Sequence, residues 1–267
     1  EQTFGRLICD RFDIRKISFT GSTEVGRWLY EKSSKTLKRL TLELGGNAPL
    51  IITESAVEEK FLRWLQYSKF RNCGQACTAV NRVLTHSKHF STVLNYYRKI
   101  ADDLTVGNGF DETSCIGPVI SYALVKKIKS LIEDALKNGA TIYPETINFE
   151  SKFIPPIVLF NVSTNSRLFQ EEIFGPVVPI YEAESDDQLL ALANQTEYGL
   201  SCYLFCEDES KIEHFCENLD FEMIGINRGF VSLPEFPFGG RKASGFGKEG
   251  SGMFGIKEFL NFKNLVS

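Results

Sequence analysis

The sequence predicts an α/β protein in which strands and helices alternate, and three observations carry that reading. Apolar runs of strand length recur between residues 17 and 226, and amphipathic stretches of helical spacing lie between several of them. Of the 267 residues 43% are hydrophobic, and there is no internal repeat, low-complexity tract or disordered linker to interrupt a core. A chain of this length forms one large domain or two. The net charge of −4, with acids and bases interspersed, argues against a nucleic-acid or anionic-membrane surface. No apolar run reaches the length of a membrane span. The start, Glu1-Gln2-Thr3-Phe4, has neither a signal-peptide layout nor an initiator Met and reads as a truncated beginning.

Residues 17–20 form the first strand, followed by a Gly21-Ser22 turn and an amphipathic helix over 23–37. The free N–H groups and positive dipole of such a helix start suit a dinucleotide pyrophosphate; the alternative is a plain start capped by Ser22 or Thr23. Residues 40–44 are the next strand, ending at Gly45-Gly46. Strands then fall at 50–52, 82–85, 141–143, 157–160, 177–181, 201–205 and 223–226, and helices at 57–69, 87–103, 122–138 and 186–194. The last run, 257–266, alternates enough to be a strand. Near it, Gly245-Phe246-Gly247-Lys248-Glu249-Gly250 spells a dinucleotide fingerprint, but it follows a Pro- and Gly-rich loop and no βαβ unit remains behind it, so it is rejected.

Seven cysteines scattered through the chain do not make the dense, even framework of a secreted disulfide protein, which points to a reducing, intracellular compartment. The pairs Cys73/Cys77 and Cys202/Cys206 have a C-x-x-x-C spacing, looser than structural zinc turns, so no metal site is expected. The three histidines, His86, His89 and His214, lie in no segment resembling a cysteine-protease signature. Two stretches carry the chemistry. In Phe70-Arg71-Asn72-Cys73-Gly74-Gln75-Ala76-Cys77, the helical pattern breaks at Gly74, and Cys77 on that joint is placed to be a nucleophile whose pKa is lowered by nearby positive potential; the alternative is a buried, inert thiol. In Leu42-Glu43-Leu44-Gly45-Gly46-Asn47, a carboxylate sits inside an apolar strand, where desolvation would raise its pKa toward neutrality and suit a general base; the alternative is an edge-strand Glu facing solvent.

Taken together these stretches resemble the glutamate and cysteine signatures of the aldehyde dehydrogenase superfamily. The resemblance extends to Phe19-Thr20-Gly21-Ser22-Thr23-Glu24-Val25-Gly26, to Glu172-Ile173-Phe174-Gly175-Pro176-Val177 and to Pro237-Phe238-Gly239-Gly240-Arg241-Lys242-Ala243-Ser244-Gly245, in the family's order and over nearly the whole chain from Ile17. It implies a remnant of a Rossmann-type cofactor domain over 1–46, an α/β catalytic domain over 47–245, and a return segment with an oligomerisation strand over 246–267. It further implies NAD or NADP as cofactor, met by Gly21, Ser22, Gly26, Glu172 and Phe174, with Cys77 as nucleophile, Glu43 as base and a homo-oligomer as the assembly.

Within the superfamily, Lys69-Phe70-Arg71-Asn72, Val106-Gly107-Asn108-Gly109-Phe110 and Lys248-Glu249-Gly250-Ser251 look most like succinate-semialdehyde dehydrogenases. Arg71 and Ser251 match the positions that hold the distal carboxylate there, and a guanidinium with a hydroxyl is chemically apt for it. Ala79 stands where many of those enzymes carry a second cysteine. The first part of the dinucleotide fold, with the asparagine that completes the family's oxyanion hole, is missing. Poor cofactor binding by the chain alone is therefore expected. A non-catalytic relative serving as an oligomer partner, and a cofactor-free thiol esterase using Cys77 and Glu43, are the competing readings.

Overall fold

The computed structural model describes residues 2–250 and 252–267. Helix α1 (Gln2–Asp10) leads into β1 (Lys16–Thr20), α2 (Thr23–Ser33), a 3-10 turn and β2 (Arg39–Glu43). The main body follows: β3 (Ala48–Ile52), α3 (Glu58–Phe70), β4 (Val80–His86), α4 (Ser87–Asp103), α5 (Tyr122–Lys137), β5 (Thr141–Tyr143), β6 (Ile157–Phe160), α6 (Arg167–Gln170), β7 (Val177–Ala183) and α7 (Asp186–Asn194). It closes with β8 (Tyr198–Gly199), β9 (Ser201–Phe205), α8 (Glu209–Asn218) and β10 (Met223–Ile226), before β11 (Arg241–Lys242), β12 (Gly245–Phe246) and α9 (Gly252–Lys257).

The large sheet has the order β10-β9-β3-β4-β7-β6-β5, parallel except for β5 against β6. Its central strands are covered on both faces, which is why their sequences read as unbroken apolar runs rather than as alternation. Leu50, Ile52 and Val83 pack with Phe61, Leu65 and Tyr97 of α3 and α4. Ile51 and Leu84 face the other way, with Ile128 and Leu131 of α5 and Phe215 of α8. A second, small sheet orders β1-β2-β12 and rests on its own cluster of Ile17, Leu29, Leu40, Leu42 and Leu44. The chain thus leaves the small sheet after Glu43 and returns to it at Gly245, which pairs opposite Glu43.

Three features depart from the sequence expectation. Helix α2 stops at Ser33 because Leu37 turns into the left-handed region at φ 49°, although its apolar side chain continues the helical period. Helices α1, α6 and α8 lie outside the expected helices; α1 and α8 each bury one residue firmly, Cys9 and Phe215. The expected terminal strand over 257–266 is absent. Residues 252–257 are helical and 258–267 have no regular structure, although the tail touches the small sheet where Arg39 of β2 donates to the Leu260 carbonyl at 2.6 Å.

Candidate active site

The strand that would otherwise run on after Glu43 stops because the chain must pass between crowded neighbours. A Cβ on Gly46 would sit 2.3 Å from the carbonyl oxygen of Cys77, so only a glycine lets the two segments meet. The cysteine loop is shaped by the same constraint. Asn72, Cys73 and Gly74 are successive left-handed residues at φ 52°, 57° and 70°, and a Cβ on Gly74 would lie 2.3 Å from the carbonyl oxygen of Gly175. This reversal ends α3 and throws the next residues back over the 172–175 loop. Gln75 then fastens the loop, donating to the Pro118 carbonyl at 3.2 Å and accepting from the Ile120 N–H at 2.7 Å. Beneath it the fully buried Lys69 donates to the Val80 carbonyl at 2.8 Å, joining the loop's two ends.

These segments enclose a cavity of about 500 Å³ lined by Thr20, Gly21 and Ser22 from the end of β1, Glu43 to Gly45 from the end of β2, and Gln75 to Cys77. Glu172, Phe174, Lys127, Phe238 and Glu249 complete the wall. Glu43 is only 3% exposed, and neither carboxylate oxygen has a hydrogen-bond partner in the protein. Burial pushes its pKa up to about 8, with Glu249 and Glu222 adding to the shift and Lys248 opposing it. The solvent-facing alternative for Glu43 is thereby overturned.

Glu172 is anchored by the Gly46 N–H, which donates to it at 2.9 Å. Burial raises its pKa too, against the pull of that N–H and of Lys127. Cys77 departs from expectation. Its thiol is half-buried and pushed up to about 11, first by burial and then by Glu172 and Glu43. The charged groups that act on the sulfur are Glu172 and Glu43, which raise its pKa, rather than a cation that would lower it.

Of the other expected site residues, Gly21 and Ser22 stand at the cavity, with the Gly21 N–H donating to the Glu43 carbonyl at 2.9 Å. Ser22 is also the cap of α2, accepting from the Val25 N–H at 3.3 Å. Gly26 lies away from this cavity, on the buried face of α2; a Cβ there would meet Leu44 at 2.4 Å, so its role is close helix-to-strand packing. Arg71 is exposed and does not line the cavity. Its guanidinium lies 3.5 Å from the Thr78 hydroxyl, next in sequence to Cys77. Ser251 lies outside the described residues.

A polar support under Glu172 escaped sequence reasoning. Asn81 donates to the Asn47 side chain at 2.6 Å and to the Glu171 carbonyl at 3.0 Å, and accepts from the Ile173 N–H at 2.8 Å. Arg82, fully buried, donates to the carbonyls of Asn47, Leu192 and Ala193 at 2.9–3.0 Å and lies over the Phe169 ring. The available signal was two polar residues opening an otherwise apolar strand. Lys127 was also missed, since an isolated Lys on an amphipathic helix looks like any solvated one. Among the described residues no group of His, Cys, Asp or Glu is arranged to hold a metal ion, and no helix is long and apolar enough to cross a membrane.

The chain is 40% identical over 252 residues to the succinate semialdehyde dehydrogenase of Acinetobacter baylyi, covering 94% of this chain and 52% of that protein. It is 38% identical to the glutarate-semialdehyde dehydrogenase of Pseudomonas putida over the same shares of the two chains, 94% and 52%. The solved succinate-semialdehyde dehydrogenase of Burkholderia pseudomallei superposes with a TM-score of 0.93 at 39% identity, over 97% of this chain and 54% of that one. The chain therefore spans about half the length of these relatives. Residues 1–265 match the aldehyde dehydrogenase family, and the chain belongs to that family.

Proposed function

We propose that this chain carries the catalytic half of an NAD(P)-dependent aldehyde dehydrogenase that oxidises succinate semialdehyde to succinate. The observation that carries the reading is the convergence of Cys77, Glu43 and Glu172 on one cavity, although they come from three distant parts of the sequence. Cys77 Sγ attacks the aldehyde carbon to give a thiohemiacetal, and Glu43, with a pKa of about 8, takes the thiol proton. The backbone N–H of Cys77 contributes to holding the oxyanion. Bound NAD or NADP supplies the hydride acceptor. After giving the thiol proton up to solvent, Glu43 deprotonates the water that cleaves the Cys77 thioester, which releases the carboxylate and expels Cys77 as the leaving thiolate.

The residues present fit one end of a dinucleotide. The Glu172 carboxylate would accept from ribose hydroxyls, with Phe174 on the same cavity wall, and Gly21 and Ser22 at the start of α2 would hold the pyrophosphate. Gly45 keeps this cradle open, since a Cβ there would come within 2.9 Å of a Glu172 oxygen. Arg71, with Ser251, holds the distal carboxylate, and the exposed apolar run of Phe259, Phe262, Leu265 and Val266 takes part in homo-oligomer assembly. A second reading, a non-catalytic oligomer partner, is favoured by the high pKa of Cys77.

The test is NAD(P)H formation from succinate semialdehyde and from butyraldehyde in wild type, Cys77→Ala and Arg71→Ala. Cys77→Ala should abolish turnover. Arg71→Ala should lower kcat/KM for succinate semialdehyde about ten- to a hundredfold and leave butyraldehyde nearly unchanged, since a charge-assisted hydrogen bond contributes roughly 1.5–3 kcal/mol. Equal losses for both substrates would reduce Arg71 to a scaffold residue.

A further inference from the structure

Arg71 follows α3 directly with a long, exposed side chain, and two contacts among the described residues show where its charge lies. One is the Thr78 hydroxyl at 3.5 Å; the other is the ring of Tyr67, whose centroid is 5.7 Å from the guanidinium carbon. Tyr67 is one helical turn earlier, so the two side chains are neighbours on the helix surface. The ring itself is braced. Trp64 meets it edge-on at 6.0 Å and Phe230 does so at 6.3 Å, both near 70°. Trp64 is in turn pressed against Gly229, where a Cβ would lie 2.8 Å from that of Trp64. An aromatic wall therefore runs from the 229–230 loop to the guanidinium. Its hydroxyl end has no role in that contact, which is made by the ring.

We propose that Tyr67 is a positioning residue that fixes the Arg71 guanidinium beside the nucleophile loop and so sets the preference for a carboxylate-bearing substrate. The inference rests on the reading of Arg71 given above. Without the ring, an exposed Arg samples many rotamers, and the fraction of time its charge faces the loop next to Cys77 falls.

The test needs neither cofactor nor turnover. Rate constants for alkylation of Cys77 by iodoacetate and by iodoacetamide are measured on the Cys77-bearing peptide of the chain, and their ratio is taken. The two reagents attack the same thiolate and expel the same iodide but differ in charge, so the ratio cancels thiol pKa, accessibility and general loosening. Arg71→Gln should lower the iodoacetate-to-iodoacetamide ratio. Tyr67→Leu should lower it about two- to fivefold, the range expected of an exposed cation–π contact. Tyr67→Phe should restore the wild-type ratio.

Tyr67 is 42% exposed, which makes Leu a tolerable replacement, and Tyr67→Gln serves if Leu impairs folding. A wild-type ratio in Tyr67→Leu, or a fall in Tyr67→Phe as large as in Tyr67→Leu, overturns the inference while leaving the Arg71 reading intact. An unchanged ratio in Arg71→Gln overturns both.

Discussion

Glu43 is a carboxyl group in a nearly dry place with no hydrogen-bond donor of the protein to satisfy it, and that has a measurable cost. Its pKa rises from the ordinary 4.5 to about 8, so between those values the folded state holds a proton that the unfolded state has released. The group's contribution to stability is fully present below about pH 4.5 and is lost as pH climbs toward 8. Glu43→Gln, neutral at every pH, should therefore raise the Tm at pH 8.5 by on the order of 5 °C and leave it nearly unchanged at pH 4. Calorimetry at the two pH values checks this; a rise of equal size at both would mean that packing, not ionisation, is responsible. Glu172 acts on Cys77 in the same currency. Glu172→Gln removes a negative neighbour, so alkylation of Cys77 at pH 8 should quicken about three- to tenfold, read by the rate of iodoacetamide incorporation. The oddity of Glu43 was legible in sequence because a carboxylate in an apolar strand has few explanations. The carboxylate beside Cys77 was not, since Glu172 approaches it from 95 residues away.

At the level of elements, the strands of the large sheet were legible because burial on both faces leaves continuous Val/Ile/Leu runs; β6, β9 and β10 fall where their apolar residues begin and end. The polar residues in strands were not. Asn81 fell outside the expected strand and Arg82 opened it, with no sign that Asn81 braces residues 171–173 while Arg82 lies over the Phe169 ring and donates to the carbonyls of Asn47, Leu192 and Ala193. Arg82→Met should destabilise the chain by about 2–4 kcal/mol in urea titration, because three buried carbonyls lose their donor while the volume is kept. Gly74→Ala should do comparable damage locally. The new Cβ has a left-handed backbone to adopt and a carbonyl oxygen 2.3 Å away, so the loop must shift and Cys77 alkylation kinetics with it.

Over the whole molecule, sequence motifs located the cavity better than periodicity did, because each motif marks a close backbone approach and those approaches meet in one place. The tail, expected as a strand that joins a sheet between subunits, has no regular structure over 258–267 in the single chain. Removal of residues 258–267 should lower the oligomeric state measured by light scattering; an unchanged mass would detach the tail from assembly. The most direct measurement of the central claim is the alkylation rate of Cys77, relative to that of the exposed Cys115, with and without succinate semialdehyde and in the absence of any nicotinamide cofactor. A nucleophile that forms a thiohemiacetal is masked by the aldehyde, so the Cys77 rate should fall in a saturable way while the Cys115 rate holds. Equal slowing of both thiols, or of neither, would contradict the assignment of Cys77 as the nucleophile.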